Sequence, residues 1–374
     1  MRRAALLILL TVLVIAAFAG VTAWQAWQSM NTPYRGYEGT EQFVDIPPGS
    51  TTPAIGRRLA DARVVSDARL FRVALWWSNR GRTLKAGEYR FDQPMTVFDV
   101  IEKLVRGEVY EHRITFPEGL TIEEMSKLFE KDGFGKASDF VSAAQNADRV
   151  RDLDPNAGDL EGYLFPETYS LPHNAPASVL VNAMVDRFKV VYAEPMRLQA
   201  EGVGLTTRQV VTLASLVEKE TGKPEERPII AAVYLNRMKI GMAMQADPTV
   251  VYVLEKAHRY DGNIRKDDLS VESPYNTYKY PGLPPGPIAA PGKASLEAVL
   301  APADVPYLYF VSRNDGSHVF SQTLAEHERN VRKYQIEYFR KLRQLPTTNH
   351  QLPTSARPTS ASRATPRSSR ASGR

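Results

Sequence analysis

From Ala4 to Trp24 the chain is apolar except at Thr11, Gly20 and Thr22, and Arg2 and Arg3 precede that run. In hydrocarbon only a helix satisfies the backbone within one segment, and about 20 apolar residues suffice to span a bilayer. The leading arginines keep residues 1–3 in the cytoplasm, so residues 4–27 are expected to cross the membrane and the rest to lie outside. Trp24 and Trp27 suit the interfacial belt that closes such a span. A cleaved signal peptide is the rival reading, because Ala17-Phe18-Ala19 has the small-x-small form. The length of the run and its closing tryptophans favour a retained, single-pass anchor in the inner (plasma) membrane.

An exported body must then stand on its own core, since the chain has no cysteine for a disulfide or a lipid. Its six histidines are scattered without HxxxH or HxH spacing, so no metal and no cofactor are expected. The formal charge of +5 resides wholly in the segment after Gln344, where Arg357, Arg363, Arg367, Arg370 and Arg374 occur without an acid or a lysine. The remainder is neutral and has no electrostatic reason to bind nucleic acid. Residues 344–374, rich in Ser, Thr, Pro, Ala and Arg, are expected to be a disordered tail.

Between these ends the pattern predicts an α+β fold. Residues 28–42 read as a polar linker with Pro33 and Gly36. An internal repeat follows, residues 43–75 against 113–144. Each copy reads as a strand, a Pro-x-Gly turn, a Ser/Thr at a helix start, and two helices. Between the copies, Tyr89 and Phe91 alternate with polar neighbours as a strand does, and a helix follows Thr96. Residues 43–145 therefore form a small α/β module resembling the LysM-like modules that bind amino-sugar polymers; a structural spacer is the plainer reading.

Residues 146–343 carry denser signals. A helix is expected from Thr206 or Thr207 as N-cap, through Val210, Val211, Leu213, Ala214, Leu216 and Val217, to Gly222 as C-cap. At about 100° per residue, Glu218 and Glu220 lie on opposite edges of its apolar arc, roughly 160° apart, with Lys219, Thr212 and Ser215 toward solvent. Gly282 to Pro287 is proline and glycine except for Leu283, which excludes a helix or a central strand. Beside this stiff loop, Asn276, Thr277, Tyr278 and Tyr280 offer the flat faces and directional polar groups that a sugar ring needs. Pro306 to Val311 reads as a strand, and Gly316 to Phe320 as its hairpin return.

The ordered set SLVEKET, YLNRMKIGMAMQADPTVVY, YNTYKYPGLPPGPIAAPG and PYLYFV resembles the endolytic murein transglycosylase family, the YceG-like membrane-anchored lytic enzymes of peptidoglycan. The resemblance covers nearly the whole chain up to about Arg343. It implies cleavage of the β-1,4 bond between N-acetylmuramic acid and N-acetylglucosamine within nascent glycan strands, without water, leaving 1,6-anhydro ends and ending strand growth. It also implies glycan strands as substrate and peptidoglycan synthases as partners. One carboxyl group suffices for this chemistry, as acid toward the leaving oxygen and then as base toward the 6-hydroxyl. Hydrolases instead use two carboxyl groups about 5 Å or about 6.5–9.5 Å apart, which the placement of Glu218 and Glu220 does not suit.

On that resemblance Glu220 is the expected acid/base, followed by Thr221 as the acid of lytic transglycosylases is followed by a hydroxyl residue. Glu218 is the second choice, otherwise a structural partner of Arg237 or Lys219. Gln245, Asp247 and Thr249 are expected to line the site, with Asp247 orienting substrate or tuning Glu220; a helix opening at Asp-Pro-Thr is the alternative. Asn276, Thr277 and Tyr278 are expected in the saccharide groove, or else as loop scaffolding. Arg237 reads as a salt-bridge residue and Glu167 as part of a turn. A non-catalytic peptidoglycan-binding scaffold is the competing function. A peptidase has no cysteine, Ser-His-Asp elbow or metal cluster to work with.

Overall fold

The computed structural model describes residues 2–78, 84–172 and 175–344. Most of the tail expected from 344 onward lies outside them. The chain divides into two compact units: residues 2–114 with 170–175, and residues 115–169 with 176 onward.

Unit 1 begins with α1 (Arg2–Asn31). Its stretch Leu9–Asn31 is long and apolar enough to cross a membrane, and its most apolar window has no buried residue. Strand β1 (Gln42–Ile46) is followed by α2 (Thr52–Asp61) and α3 (Ala68–Ser78). Then come β2 (Gly87–Phe91), α4 (Val97–Arg106) and β3 (His112–Thr115), whose last residue belongs to unit 2. β1 and β2 are antiparallel, with Val44 opposite Tyr89 and Ile46 opposite Gly87. The period of two puts Val44, Ile46, Tyr89 and Phe91 inside, against Leu59, Phe71 and Leu104 from the helices. Thr96 opens α4 through a capping box with Asp99, and Gly107 closes it in the left-handed conformation at φ 70°.

The expected linker over residues 28–42 is instead built into this unit. The helix continues to Asn31, Met30 and Tyr37 are buried in the core, and Tyr34 forms a backbone bridge with Met95. Polar composition hid this, because two apolar side chains were enough to recruit the segment.

In unit 2, α5 (Ile122–Lys131) and α6 (Ala137–Ala144) complete the second repeat copy, and Phe140 of α6 meets Phe116 and Phe129 with tilted rings. The strand–helix–helix order recurs as expected, but the helices of the second copy pack in unit 2. Next come β4 (Thr168–Leu171), whose last two residues belong to unit 1, then α7 (Ala177–Val191), α8 (Glu194–Gly202) and α9 (Thr207–Glu220). They are followed by α10 (Arg227–Lys239), α11 (Asp247–Lys256) and α12 (Lys293–Leu300). The hairpin β5 (Tyr309–Ser312) and β6 (His318–Ser321) matches the sequence reading. Last, α13 (Leu324–Val331) passes through a π-helical turn over residues 332–337 into α14 (Tyr338–Gln344).

α9 is the axis of this unit, packed by α8, α10, α11 and α12. Thr206 caps it with Gln209, but it stops at Glu220 with an extended Thr221 as C-cap, one residue before the expected Gly222. Every residue from Val210 to Val217 is buried, so Thr212 and Ser215 do not face solvent as their polarity suggested. The loop of residues 281–292 covers that face at three points. Arg208 Nε donates to the Pro285 carbonyl at 2.6 Å, the Ile288 amide to Ser215 Oγ at 3.1 Å, and the Gly292 amide to Glu218 Oε2 at 3.0 Å. A loop rich in proline has few amides to donate, and two that remain find side chains on α9. Gly162 lets this layer close: at φ +81°, a Cβ there would lie 2.4 Å from Pro287 and 3.0 Å from Val211.

Arg208 is itself held by Asp154, whose Oδ2 accepts from Arg208 Nη1 at 2.8 Å and from the Tyr163 hydroxyl at 2.7 Å. Asp154 is 2% exposed. Replacing Asp154 with alanine leaves a partly buried guanidinium and a buried hydroxyl without their acceptor, and should cost about 2–4 kcal/mol. Urea denaturation checks this; a loss within error of zero would mean the network adds nothing to the fold.

Candidate active site

Both glutamates occupy the last turn of α9, and the structure gives them different surroundings. Glu218 is fastened. Its Oε1 lies 3.3 Å from Arg227 Nη2 and its Oε2 takes the Gly292 amide, with the side chain only 6% exposed. Arg227 also reaches Glu118 at 3.8 Å, and burial followed by repulsion from Glu218 pushes the Glu118 carboxyl above its usual range. The partner expected for Glu218, Arg237 or Lys219, is therefore replaced by Arg227 and a backbone amide. Lys219 bonds the Gly119 carbonyl at 3.1 Å instead.

Glu220 points the other way, toward α10. Its Oε1 accepts a hydrogen bond of 2.5 Å from the Tyr234 hydroxyl. Tyr234 is buried and meets Phe310 of β5 edge-on at 5.9 Å. The carboxyl is densely surrounded while the residue as a whole keeps part of its surface open. Burial raises its pKa to about 7, opposed by the Tyr234 hydrogen bond, reinforced by the charge of Asp247 and eased by Arg237. A carboxyl with such a pKa is divided between acid and base forms near neutrality.

Among the described residues Arg237 forms no salt bridge. It is 6% exposed, donates to the carbonyls of Leu308 at 2.6 Å and of Met244, and lies over the Tyr309 ring at 5.5 Å. Its neighbour Asn236 bonds the carbonyls of Val305 and Tyr307 at 2.8 and 3.1 Å. Consecutive residues of α10 thus hold the approach to α11 and the strand leading to Tyr309. The turn from α9 to α10 is held as well. Glu226 accepts from Thr221 Oγ1 at 3.2 Å and from the His318 amide at 2.8 Å, and lies 2.7 Å from His318 Nδ1. Although burial works in the opposite direction, His318 holds the Glu226 carboxyl below its ordinary range. The hydroxyl of Thr221 is spent inside this cluster.

The remaining expected residues fall into two groups. Gln245 and Asp247 are exposed, and Tyr278 is half-buried with its hydroxyl on Asp247 Oδ1. Gln245 adopts φ +50°, a left-handed conformation that costs an L-residue about 1 kcal/mol or more. Thr249, Asn276 and Thr277 are fully buried. Thr249 and Thr277 share a hydroxyl contact of 2.9 Å, the Ala246 amide donates to Thr277 at 3.0 Å, and Asn276 holds the carbonyls of Leu269 and Val271. These three side chains hold the loop to the start of α11 and do not present themselves to a groove. Asp247 opens α11 at Asp-Pro-Thr, and its charge adds to burial in raising the Glu220 carboxyl. Glu167 pairs with Arg187 at 2.5 and 3.0 Å.

Glu220, Tyr234, Arg237, Asp247 and Tyr278 thus form one electrostatic neighbourhood. Sequence reasoning missed Tyr234 and the Glu226–His318 pair, since nothing in a buried helical position such as Tyr234 signals a partner on another helix. Among the described residues no group of three or more His, Cys, Asp or Glu is placed to hold a metal ion.

The raised carboxyl makes a stability prediction. The folded state binds the Glu220 proton more tightly than the unfolded chain, so this group's contribution to stability is present below about pH 4.5 and is lost as pH rises through about 7. Gln cannot ionise. Glu220→Gln should match the wild type in acid and exceed it by roughly 1–3 kcal/mol at pH 8. Glu218→Gln, which strips Arg227 of a buried partner, should be the less stable protein by about 1–3 kcal/mol. Urea midpoints across pH check both; a pH-independent difference for Glu220→Gln would contradict the burial argument.

Residues 44–333 match the family model described as YceG-like. An endolytic murein transglycosylase of Bacillus subtilis is 33% identical over 309 residues, covering 78% of this chain and 84% of that protein. One of Streptococcus pneumoniae is 29% identical over 324 residues, and there the match spans 78% of this chain but 58% of the relative. A crystal structure of a yceG-like protein from Listeria monocytogenes aligns with a TM-score of 0.54 at 30% identity, covering 78% of this chain and 98% of that one.

Proposed function

Because the chain belongs to the YceG-like family, we propose that it is a peptidoglycan lytic transglycosylase, anchored in the membrane by α1, that cuts glycan strands internally with Glu220 as its acid/base. The bond is the β-1,4 link between N-acetylmuramic acid and N-acetylglucosamine. The observation that carries this reading is the Glu220 carboxyl: poised near pKa 7 by burial, bonded by Tyr234, and acted on by the charge of the exposed Asp247.

Protonated Glu220 gives its proton to the glycosidic oxygen as the C1–O bond breaks. The resulting carboxylate takes the proton of the muramoyl 6-hydroxyl, whose oxygen closes on C1. The 1,6-anhydro ring forms, Glu220 regains its proton, and no water is consumed. Tyr234 orients the carboxyl and stabilises its charged form, while Asp247, held by Tyr278, favours the protonated form. Glu218 holds the loop of residues 281–292 and does not take part in the chemistry. The strand–helix repeat beginning at residue 43 is read as a glycan-holding element, supported by its pattern and by the substrate named for the relatives.

Incubating the full chain with isolated peptidoglycan should yield 1,6-anhydromuramic ends by mass spectrometry. Glu220→Gln should lower the rate by at least about 100-fold, and Glu218→Gln should retain measurable turnover once its stability loss is allowed for. No anhydro ends from wild type would favour the scaffold reading, and full activity in Glu220→Gln would remove Glu220 from its role. In wild type the rate should fall as pH rises through about 7. Tyr234→Phe removes the bond that favours the carboxylate, so that alkaline limb should move to higher pH; an unmoved limb would separate Tyr234 from the acid.

A further inference from the structure

All four tryptophans of the chain are exposed and stand on two helices of unit 1, Trp24 and Trp27 on α1 and Trp76 and Trp77 on α3. Trp76 is 81% and Trp77 65% exposed, beside Val73 at 46%. An indole left in water forgoes roughly 2–3 kcal/mol of burial, so two adjacent ones on a folded surface mark a face that something covers.

The geometry of α3 identifies the covering chemistry. At about 100° per residue, Arg72, Trp76, Arg69, Val73 and Trp77 follow one another across a single arc, and all five are exposed. Phe71, Ala74 and Leu75 occupy the opposite arc and are buried in the core of unit 1. α3 is therefore apolar on both faces, and the outer one carries guanidinium groups. From Arg69 to Gly87 the sequence contains Arg69, Arg72, Arg80, Arg82 and Lys85 and no acid. Indole rings rest at the level of lipid headgroups, and arginines among them pair with phosphate. α3 also packs against α1, the helix long enough to cross a bilayer.

We propose that the outer face of α3, formed by Arg69, Arg72, Val73, Trp76 and Trp77, docks on the anionic headgroup layer of the membrane beside the α1 crossing. Unit 1 then has two attachments, one through the bilayer and one lying on it. The second rests on the reading of α1 as an anchor. A sugar-stacking platform would surround the rings with acceptors for sugar hydroxyls, whereas cations surround these.

The test uses the full chain carrying Trp24→Phe and Trp27→Phe, so that only Trp76 and Trp77 emit. It is reconstituted in vesicles of phosphatidylcholine with phosphatidylglycerol, with or without lipids brominated near the headgroup. Emission should shift to shorter wavelength and lose about half its intensity to the brominated lipid, with less loss in pure phosphatidylcholine and after Arg69→Glu with Arg72→Glu. Protein that floats with the vesicles while Trp76 and Trp77 emit as in water, quenched by iodide and not by bromine, overturns the docking and leaves the anchor standing. Protein that does not float with vesicles overturns both. A blue shift produced by a soluble N-acetylglucosamine oligomer, and not by lipid, would assign the face to glycan instead.

Discussion

The site depends on the burial of α9 to its last turn. Eight consecutive residues, Val210 to Val217, are inside, so the helix cannot leave its polar side in water and must satisfy it with protein. The loop of residues 281–292 meets that need through Arg208, Ser215 and Glu218. Once those contacts are made, the rotation of the helix is set. Glu220, two residues beyond Glu218, is turned onto Tyr234 and away from the loop. One helix thereby produces a fastened carboxylate and a poised carboxyl two residues apart, on opposite sides of its last turn.

The same logic separates structure from chemistry among the other polar groups. Buried carboxylates that are bonded, such as Asp154 by Arg208 and Glu226 by His318, hold loops and turns. Arg237 is buried among carbonyls, which fixes its guanidinium while leaving a positive charge near Glu220. Glu161 is a further buried carboxyl, pushed up to about 8 by burial and bonded by the Ile122 amide and the Tyr252 hydroxyl. It caps α5 from inside and needs no role in the reaction. Glu220, like Glu161 and unlike the paired groups, has no bonded cation among the described residues; unlike Glu161 it keeps part of its surface open.

Much of this was legible in the sequence because it is local. The opening of α9 at Thr206, the hairpin of β5 and β6, the start of α11 at Asp-Pro-Thr and the non-helical loop after Tyr280 follow from caps, alternation and proline. The opposite orientation of Glu218 and Glu220 follows from helical geometry alone. What escaped depends on contacts far apart along the chain. Ser215 looked solvent-facing because its partner, Ile288, is 73 residues away. Asn276, Thr277 and Thr249 looked like sugar ligands because polar residues near a stiff loop do not announce that the threonines bond each other and the asparagine bonds backbone carbonyls. Tyr234 lies in an apolar helix and nothing in its spacing ties it to Glu220.

The central claim is that burial keeps Glu220 protonated up to about neutral pH while Glu218, two residues away, is tied into an ion pair. The direct measurement is the carboxyl stretch of Glu220, taken as the infrared difference between wild type and Glu220→Gln across pH. The account predicts a protonated carbonyl band that persists through pH 6 and disappears around pH 7. A band that is gone by pH 5, as for an ordinary surface glutamate, would contradict it.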